Sequence, residues 1–531
     1  MSAQQLGFHE YDGQVPDYSM QAITSYIEEI QEDLMLLEDI GVPAAKQERF
    51  EHELIESRLQ VELFQLNEQQ EFLKSPLPYI SPALAIEGTY ASRSFAPRDD
   101  RIRAIISIQQ ALPVLFDQAR QNLDTSLARP KIHMAMNFLQ GFINYFSDKL
   151  IEFVSQTSDD ELLDQWSQAN QQCIAAMTQF LDELAGEYLP AGQDDFALGE
   201  EKFLKMLEKT EGVVMDVDTL LKIGEDALEA DYQALLQVAI DQDTTIEAIT
   251  ASMMEDIPDP VELLDCVRVA LDRTRDFLIE KDLVSLPSKE QCQAVDMPEA
   301  YKKFAFAAMN TPGPFEPEEA KEAYYYINIP PFNLTETEKK QRMSFFNEAQ
   351  LELVTIHEAW PGHYLQLLVN NTTTSAIAKM FARSVTLIES WGLYTEQMMI
   401  DQGYNKLDAV KLRVAQLKAS AMRSARFVSA VRMHCFGMSV EESTELFVNK
   451  AMAPPAMASI EANRRTVNPM YLNYTLGKLM IYKLRSDYAR EQGDQYSLKK
   501  FHDEILSYGS PPISVLRTMM LANPGTSEDV I

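Results

Sequence analysis

The sequence predicts a mostly α-helical protein with a small β-sheet, and three observations carry that expectation. Only 19 glycines occur in 531 residues, about half the usual ~7%, which disfavours a turn-rich β protein. Apolar residues recur at three-and-four spacing through long stretches, as the buried face of a helix requires. After Pro287 the pattern changes to short runs of aromatic and branched residues, the composition of strands.

The first helix is expected from Pro16 to Ile40. Its inner face is written in Ile23, Tyr26, Ile27, Ile30, Leu34 and Leu37, and it stops at Gly41-Val42-Pro43. A second runs from Gln47 to Leu73, ended by Pro76 and Pro78, and a third from Pro97 to Leu127 with a kink at Pro113. Pro130 to Ser155 follows, then a capping box at Ser158-Asp159-Asp160-Glu161 opens the next helix. Segments 198–211, 217–242 and 261–285 complete this array, and no repeat period suggests a solenoid. Strands are expected at Cys292–Val295, Phe304–Met309 and Ala323–Ile329, the last stopped by Pro330 and Pro331. Helix returns at 335–370, 375–403, 405–433, 440–451, 457–463 and 470–490. The organisation read from this is an N-terminal helical region, residues 1–285, and a catalytic helical region with a small sheet, residues 286–531. A single continuous fold is the alternative.

Charge narrows the partners. Eighty-one acidic residues against 46 basic ones give a net charge of -35, a field that repels phosphate backbones and anionic lipid. Nucleic acid and membranes are therefore not expected as partners; solubility, or a taste for cationic substrates, is. No phosphate-cradling glycine loop is present, and the four cysteines show no CxxC spacing for a thiolate zinc site. The opening MSAQQLGFHEYDGQ has neither a basic region nor an apolar stretch, so the expectation is a cytoplasmic protein, monomer or homodimer.

The sharpest local signal is TIHEAWPGHYLQ, residues 355–366. His357-Glu358 matches the start of the zinc motif HExxH, but its fifth position is Pro361, and the next histidine is His363. On a straight helix residue 363 lies about 240° around from residue 357. A zinc site therefore requires Pro361-Gly362 to bend the chain and bring His363 back. The alternative is two surface histidines at a helix break. Downstream, LIESWGLYTEQM places Glu389 among Leu387, Ile388, Trp391, Leu393 and Tyr394. A carboxylate buried in such company must be paired, protonated or bound to metal. Glu396 lies seven residues on, along the same face, where it would hydrogen-bond a ligand histidine; salt bridges from both glutamates to Lys379 or Arg383 are the other reading.

HEAWPGHYLQ, ESWGLYTEQ and the opening FHEYDGQVPD together resemble the bacterial family catalogued as domain of unknown function 885. SPLPYISP, YASRSFAP, YYYINIPP and NPMYLNYTLGKLMIYKLR follow in the family's order, so the resemblance spans nearly the whole chain. It implies a large helical, metallopeptidase-like fold with the small sheet beside the active-site helix. It also implies His357 and His363 as ligands of one zinc ion, Glu389 as the third ligand, and Glu358 beside the catalytic water. The chain departs from the pattern at three places. Ser390 replaces the glycine of EGW, Tyr364 stands where a second histidine often follows, and Ala430 replaces an aspartate, with Arg432-Met433-His434 after it.

Further residues are candidates for completing a site. Arg423 and Arg426, adjacent on one helix face with Arg432 and His434 beyond, suit a substrate carboxylate or protein glutamates. Tyr471, Tyr474, Gly477 and Arg485 share a late helix. The metallopeptidase resemblance makes Tyr474 the oxyanion donor, with Gly477 allowing close approach of helix and ligand. The strand around Tyr325–Ile329, through Tyr326 and Asn328, is placed to receive an extended substrate, and His434 to support the site from behind. His9, His52, His133 and His502 have no metal spacing. The resulting expectation is a zinc-dependent hydrolase of peptide or related amide bonds, acting on short peptides as a carboxypeptidase if an arginine anchors the C-terminus. A non-catalytic helical binding or scaffold protein descended from such an enzyme is the alternative, and a non-peptide amide or ester substrate a third.

Overall fold

The computed structural model describes residues 3–298, 302, 305–317, 321–331, 334–404, 407–526, 530 and 531. Helices dominate, as the apolar periodicity requires. The N-terminal group comprises α1 (Met20–Ile40), α2 (Lys46–Phe64), α3 (Arg98–Asn122), α4 (Arg129–Ser147) and α5 (Asp160–Glu183). Helix α3 runs through Pro113. The expected capping box gives way to a single cap: the Asp159 side chain, not Ser158, accepts from the Leu162 N–H. The second helix ends earlier than expected because Gln70 adopts a left-handed conformation, φ 52°.

Next come α6 (Glu200–Glu211), α7 (Val217–Asp241) and α8 (Leu263–Lys281). The sheet follows, with β1 (Gln293–Asp296), β2 (Ala307–Asn310) and β3 (Tyr324–Ile327) in the order β1-β3-β2. Strand β3 is central, parallel to β1 and antiparallel to β2. Two expected boundaries, Phe304 and Asn405, lie outside the described residues. Later helices include α9 (Glu348–Glu358), α10 (His363–Thr372), α11 (Val385–Asp401), α12 (Ala409–Cys435), α13 (Pro455–Val467) and α14 (Asn473–Gln492). No helix among the described residues is long and apolar enough to cross a membrane.

Two hydrophobic clusters carry most of the core. One joins residues between Ile23 and Leu184; the larger joins Phe64 to residues between Phe203 and Val530. Packing does not divide at residue 285. Helices α6 to α8 contribute Phe203, Leu220 and Leu271 to the cluster that holds Ile356 and Trp391, because α7 lies along α12 and α8 along α9.

The opening FHEYDG segment fastens the N-terminus to the chain between β2 and β3. His9 Nε2 lies 2.9 Å from Glu316 Oε2, and its Nδ1 3.1 Å from Asp12 Oδ2. The imidazole stacks on Phe95 at 4.1 Å. Tyr90 donates to Asp12 Oδ1 at 3.2 Å, and the Phe315 N–H donates to Leu6 O at 3.0 Å. Burial pulls the His9 pKa down, but the two carboxylates outweigh it and raise it from 6.5 to about 9. The folded form therefore holds this proton more tightly than the unfolded chain. Its contribution to stability is full below about pH 6.5 and is lost as the pH rises through about 9. Melting temperatures measured from pH 6 to 10 should fall across that window, and the His9→Gln variant should show a shallower fall. Equal slopes in the two proteins would refute the pairing.

Candidate metal centre

The site begins where a helix is broken. Helix α9 ends at Glu358 and α10 begins at His363, with Ala359 to Gly362 turning the chain between them. The Gly362 N–H reaches Ile356 O at 3.0 Å, and the Leu365 N–H reaches Ala359 O at 3.3 Å, so the regular ladder is interrupted. Only glycine fits at 362, since a Cβ there would stand 1.7 Å from His357 O. The result is convergence: the imidazoles of His357 and His363 lie 4.7 Å apart between centroids at 83°.

Helix α11 closes the third side. Glu389 Oε2 is 4.0 Å from His357 Nε2 and 3.8 Å from His363 Nε2. Two turns on, Glu396 Oε1 is 2.7 Å from His357 Nδ1, which leaves Nε2 for the centre. Between them Gly392 lies against the His357 ring, where a Cβ would meet its Cε1 at 2.7 Å. Glu358 joins from α9. Ligand atoms of His357, Glu358 and His363 all lie within 4.8 Å of one another. Burial pushes the Glu358 carboxyl above its usual range, against the opposing pull of His363 and the Met309 N–H. Burial, together with His357, lowers the His363 pKa.

The donor set suits zinc. Two imidazoles and a carboxylate are a common catalytic zinc triad, and bonds of about 2.0–2.1 Å place tetrahedral ligand atoms about 3.3–3.5 Å apart. The Nε2-to-carboxylate distances of 3.8 and 4.0 Å exceed that spacing by about 0.3–0.7 Å, a gap that small side-chain rotations close. His357, His363 and Glu389 therefore fit such an ion, with Glu358 adjacent.

Among the other candidates, Tyr474 and Arg423 face this cluster. Burial, then Glu389, raises the Tyr474 pKa, so its phenol stays protonated and able to donate. Arg423 Nη2 lies 3.7 Å from Glu396 Oε1, and its guanidinium is 6.0 Å from the Tyr474 ring centroid. Arg426 stands nearer, 5.1 Å from the same ring centroid, but its charge is met by Glu461. Its Nε and Nη2 donate to Glu461 at 2.8 and 3.0 Å, and the fully buried Arg465 donates to the same carboxylate at 2.8 Å. Burial works against the Glu461 charge, yet Arg426 and Arg465 prevail and hold its pKa near 2.

Four expected contacts belong to other parts of the structure. Arg485 donates to Tyr394 Oη at 3.1 Å, in a buried chain that continues to His502 at 2.8 Å. His434 accepts from the Leu198 N–H at 3.3 Å and donates from Nε2 to Arg465 O at 2.9 Å, so it ties helices together away from the centre. Tyr326 points to the sheet's other face, toward Ser92, and Asn328 Nδ2 donates to Lys302 O and Ala305 O at 2.7 and 2.8 Å. Strand β3, paired on both sides, has no edge left for a substrate. Gly477 approaches α11 rather than a ligand, since a Cβ there would meet Ser390 Oγ at 2.5 Å. The departure at 430 is a small apolar residue enclosed in the core.

Sequence reasoning missed Tyr325, Met309 and Trp391 as neighbours of the site. Tyr325 is fully buried beside Thr355, with Glu358 acting on its phenol. Alternation along β3 was the available signal, but it required knowing which face met α9.

A family model described as "Bacterial protein of unknown function (DUF885)" matches residues 1–520. No curated protein matches the chain. Solved structures share the fold, and two illustrate it. A protein from Shewanella oneidensis, described as a candidate lipoprotein of unknown function, superposes with a TM-score of 0.81 at 21% identity, over 98% of this chain and 96% of that one. A candidate lipoprotein from Colwellia psychrerythraea gives 0.78 at 17% identity, over 99% and 94%.

The arginine cluster yields a test of its own. Glu461→Gln leaves Arg426 and Arg465 without their shared counter-charge, and breaking a buried pair costs about 3–5 kcal/mol. Urea unfolding should show a loss of that size. A loss under about 1 kcal/mol would mean that the carboxylate is not the partner of both arginines.

Proposed function

The chain belongs to the bacterial DUF885 family, and we propose that it is a zinc-dependent hydrolase of peptide or related amide bonds. One observation carries the proposal: His357 Nε2, His363 Nε2 and Glu389 Oε2 converge on one point, with the half-buried Glu358 at its side. Zinc held by His357, His363 and Glu389 would supply Lewis-acid polarisation of a scissile carbonyl and an acidified water.

The remaining chemistry falls to the protein. Glu358 takes the proton of the attacking water and delivers it to the leaving amine. The Met309 N–H favours the charged form of Glu358 from the side of β2. Tyr474, with its proton retained by burial, donates to the developing oxyanion, and Arg423 adds positive charge nearby. Glu396 fixes the His357 ring through Nδ1.

Strand β2 is the edge suited to an extended substrate. The Asn328 N–H donates to Phe306 O at 2.9 Å. With the β2–β3 register, this turns Ala308 and Asn310 toward β3 and Ala307 and Met309 outward. The outward N–H and C=O of Ala307 and the C=O of Met309 would pair with a short peptide lying beside Glu358. With Arg426 committed to Glu461, Arg423 is the remaining candidate to anchor a C-terminal carboxylate.

Protein purified without chelators should carry close to one zinc per chain by elemental analysis. Glu358→Gln should keep that zinc and lower turnover of a peptide panel by about 10²–10⁴. His363→Ala should instead lose the metal. A wild-type protein that neither carries nor takes up zinc would replace the hydrolase with a non-catalytic binding protein.

A further inference from the structure

We infer that Trp391 is a positioning residue for His363: its indole N–H holds the broken turn from which α10 restarts. The inference rests on the metal-centre reading for its consequence, but its geometry stands without an ion. Trp391 is fully buried on α11, two residues after Glu389, and its Nε1–H donates to Pro361 O at 2.8 Å. Pro361 lies two residues before His363, at the crest of the turn.

That carbonyl lacks its usual partner. In an uninterrupted helix the Leu365 N–H would serve residue 361, but here it reaches back to Ala359 O at 3.3 Å. A buried carbonyl must find a donor elsewhere, and the one that reaches it comes from the helix that supplies Glu389. The indole itself is fixed by edge contact with His502 at 5.5 Å between centroids. Through one hydrogen bond, α11 thus sets the position of His363 as well as contributing Glu389 and seating His357 over Gly392.

The test uses the full chain with Trp391→Phe and, to separate the hydrogen bond from packing, with Trp391 replaced by benzothienylalanine, which keeps the indole shape but has no N–H. The expected crystal structure of either apo variant shows His363 turned away from His357, with the ring separation widened beyond 4.7 Å. Zinc affinity, read by competition with a chromophoric chelator, should fall about 10–100-fold in both, the usual cost of losing a group that orients a ligand. A residue that only packs would leave the benzothienyl variant with His363 in place and unchanged zinc affinity, and that result overturns the proposal. If the wild type takes up no zinc, the metal reading fails separately, and the position of His363 in the apo variants still decides the role of Trp391. If Trp391→Phe does not fold, the benzothienyl variant decides alone.

Discussion

A straight α-helix cannot bring residues 357 and 363 to one point, because six residues turn the chain about 240° too far. The candidate centre therefore depends on the turn at Pro361-Gly362. That turn is possible only because position 362 has no side chain to strike His357 O. Around it the fold supplies what the broken helix gives up. The 362 and 365 N–H groups find new acceptors within the turn, and the 361 carbonyl takes its hydrogen bond from a neighbouring helix. The backbone of the break is thus hydrogen-bonded at 361, 362 and 365 rather than frayed, which favours a rigid ligand pair.

Charge balance points to the same centre. Glu358, Glu389 and Glu396 gather around two imidazoles, with Arg423 near one of them. Enclosed carboxylates are expensive unless cations or protons balance them. Farther along α12 and α13 the solution is arginine: Arg426, Arg464 and Arg465 surround the single carboxylate of Glu461. Beside the histidines the protein places mostly acids and neutral donors, an arrangement suited to a divalent cation.

Much of this was legible in the sequence, and the failures have physical causes. The helical class, the three short strands and the bend at Pro361-Gly362 followed from periodicity and from residues that interrupt it. Glu389 stood out because a carboxylate among aromatic and aliphatic neighbours needs a reason. Arg426 and Arg485 could not be assigned, since their partners, Glu461 and Tyr394, lie 35 and 91 residues away. No local pattern chooses between a protein carboxylate and a substrate's. The strand error has the same origin. Tyr325 and Tyr326 differ by one position and so face opposite sides of the sheet, and only the docking of α9 tells which side is inward.

Helix α11 shows how spacing distributes these tasks. Residues 389, 392 and 396 fall on one stripe at intervals of three and four, so the carboxylate, the seat of His357 and the brace of its ring come from one face. Trp391 stands beside that stripe and is long enough to reach the turn. Ser390 lies against α14. Its side chain is accommodated because Gly477 stands opposite; a Cβ at 477 would approach Ser390 Cβ to 2.6 Å. A close helix crossing needs one partner without a side chain, not two, and here α14 supplies it. Ser390 therefore fits within the close crossing of α11 and α14, the helices that carry Glu389 and Tyr474.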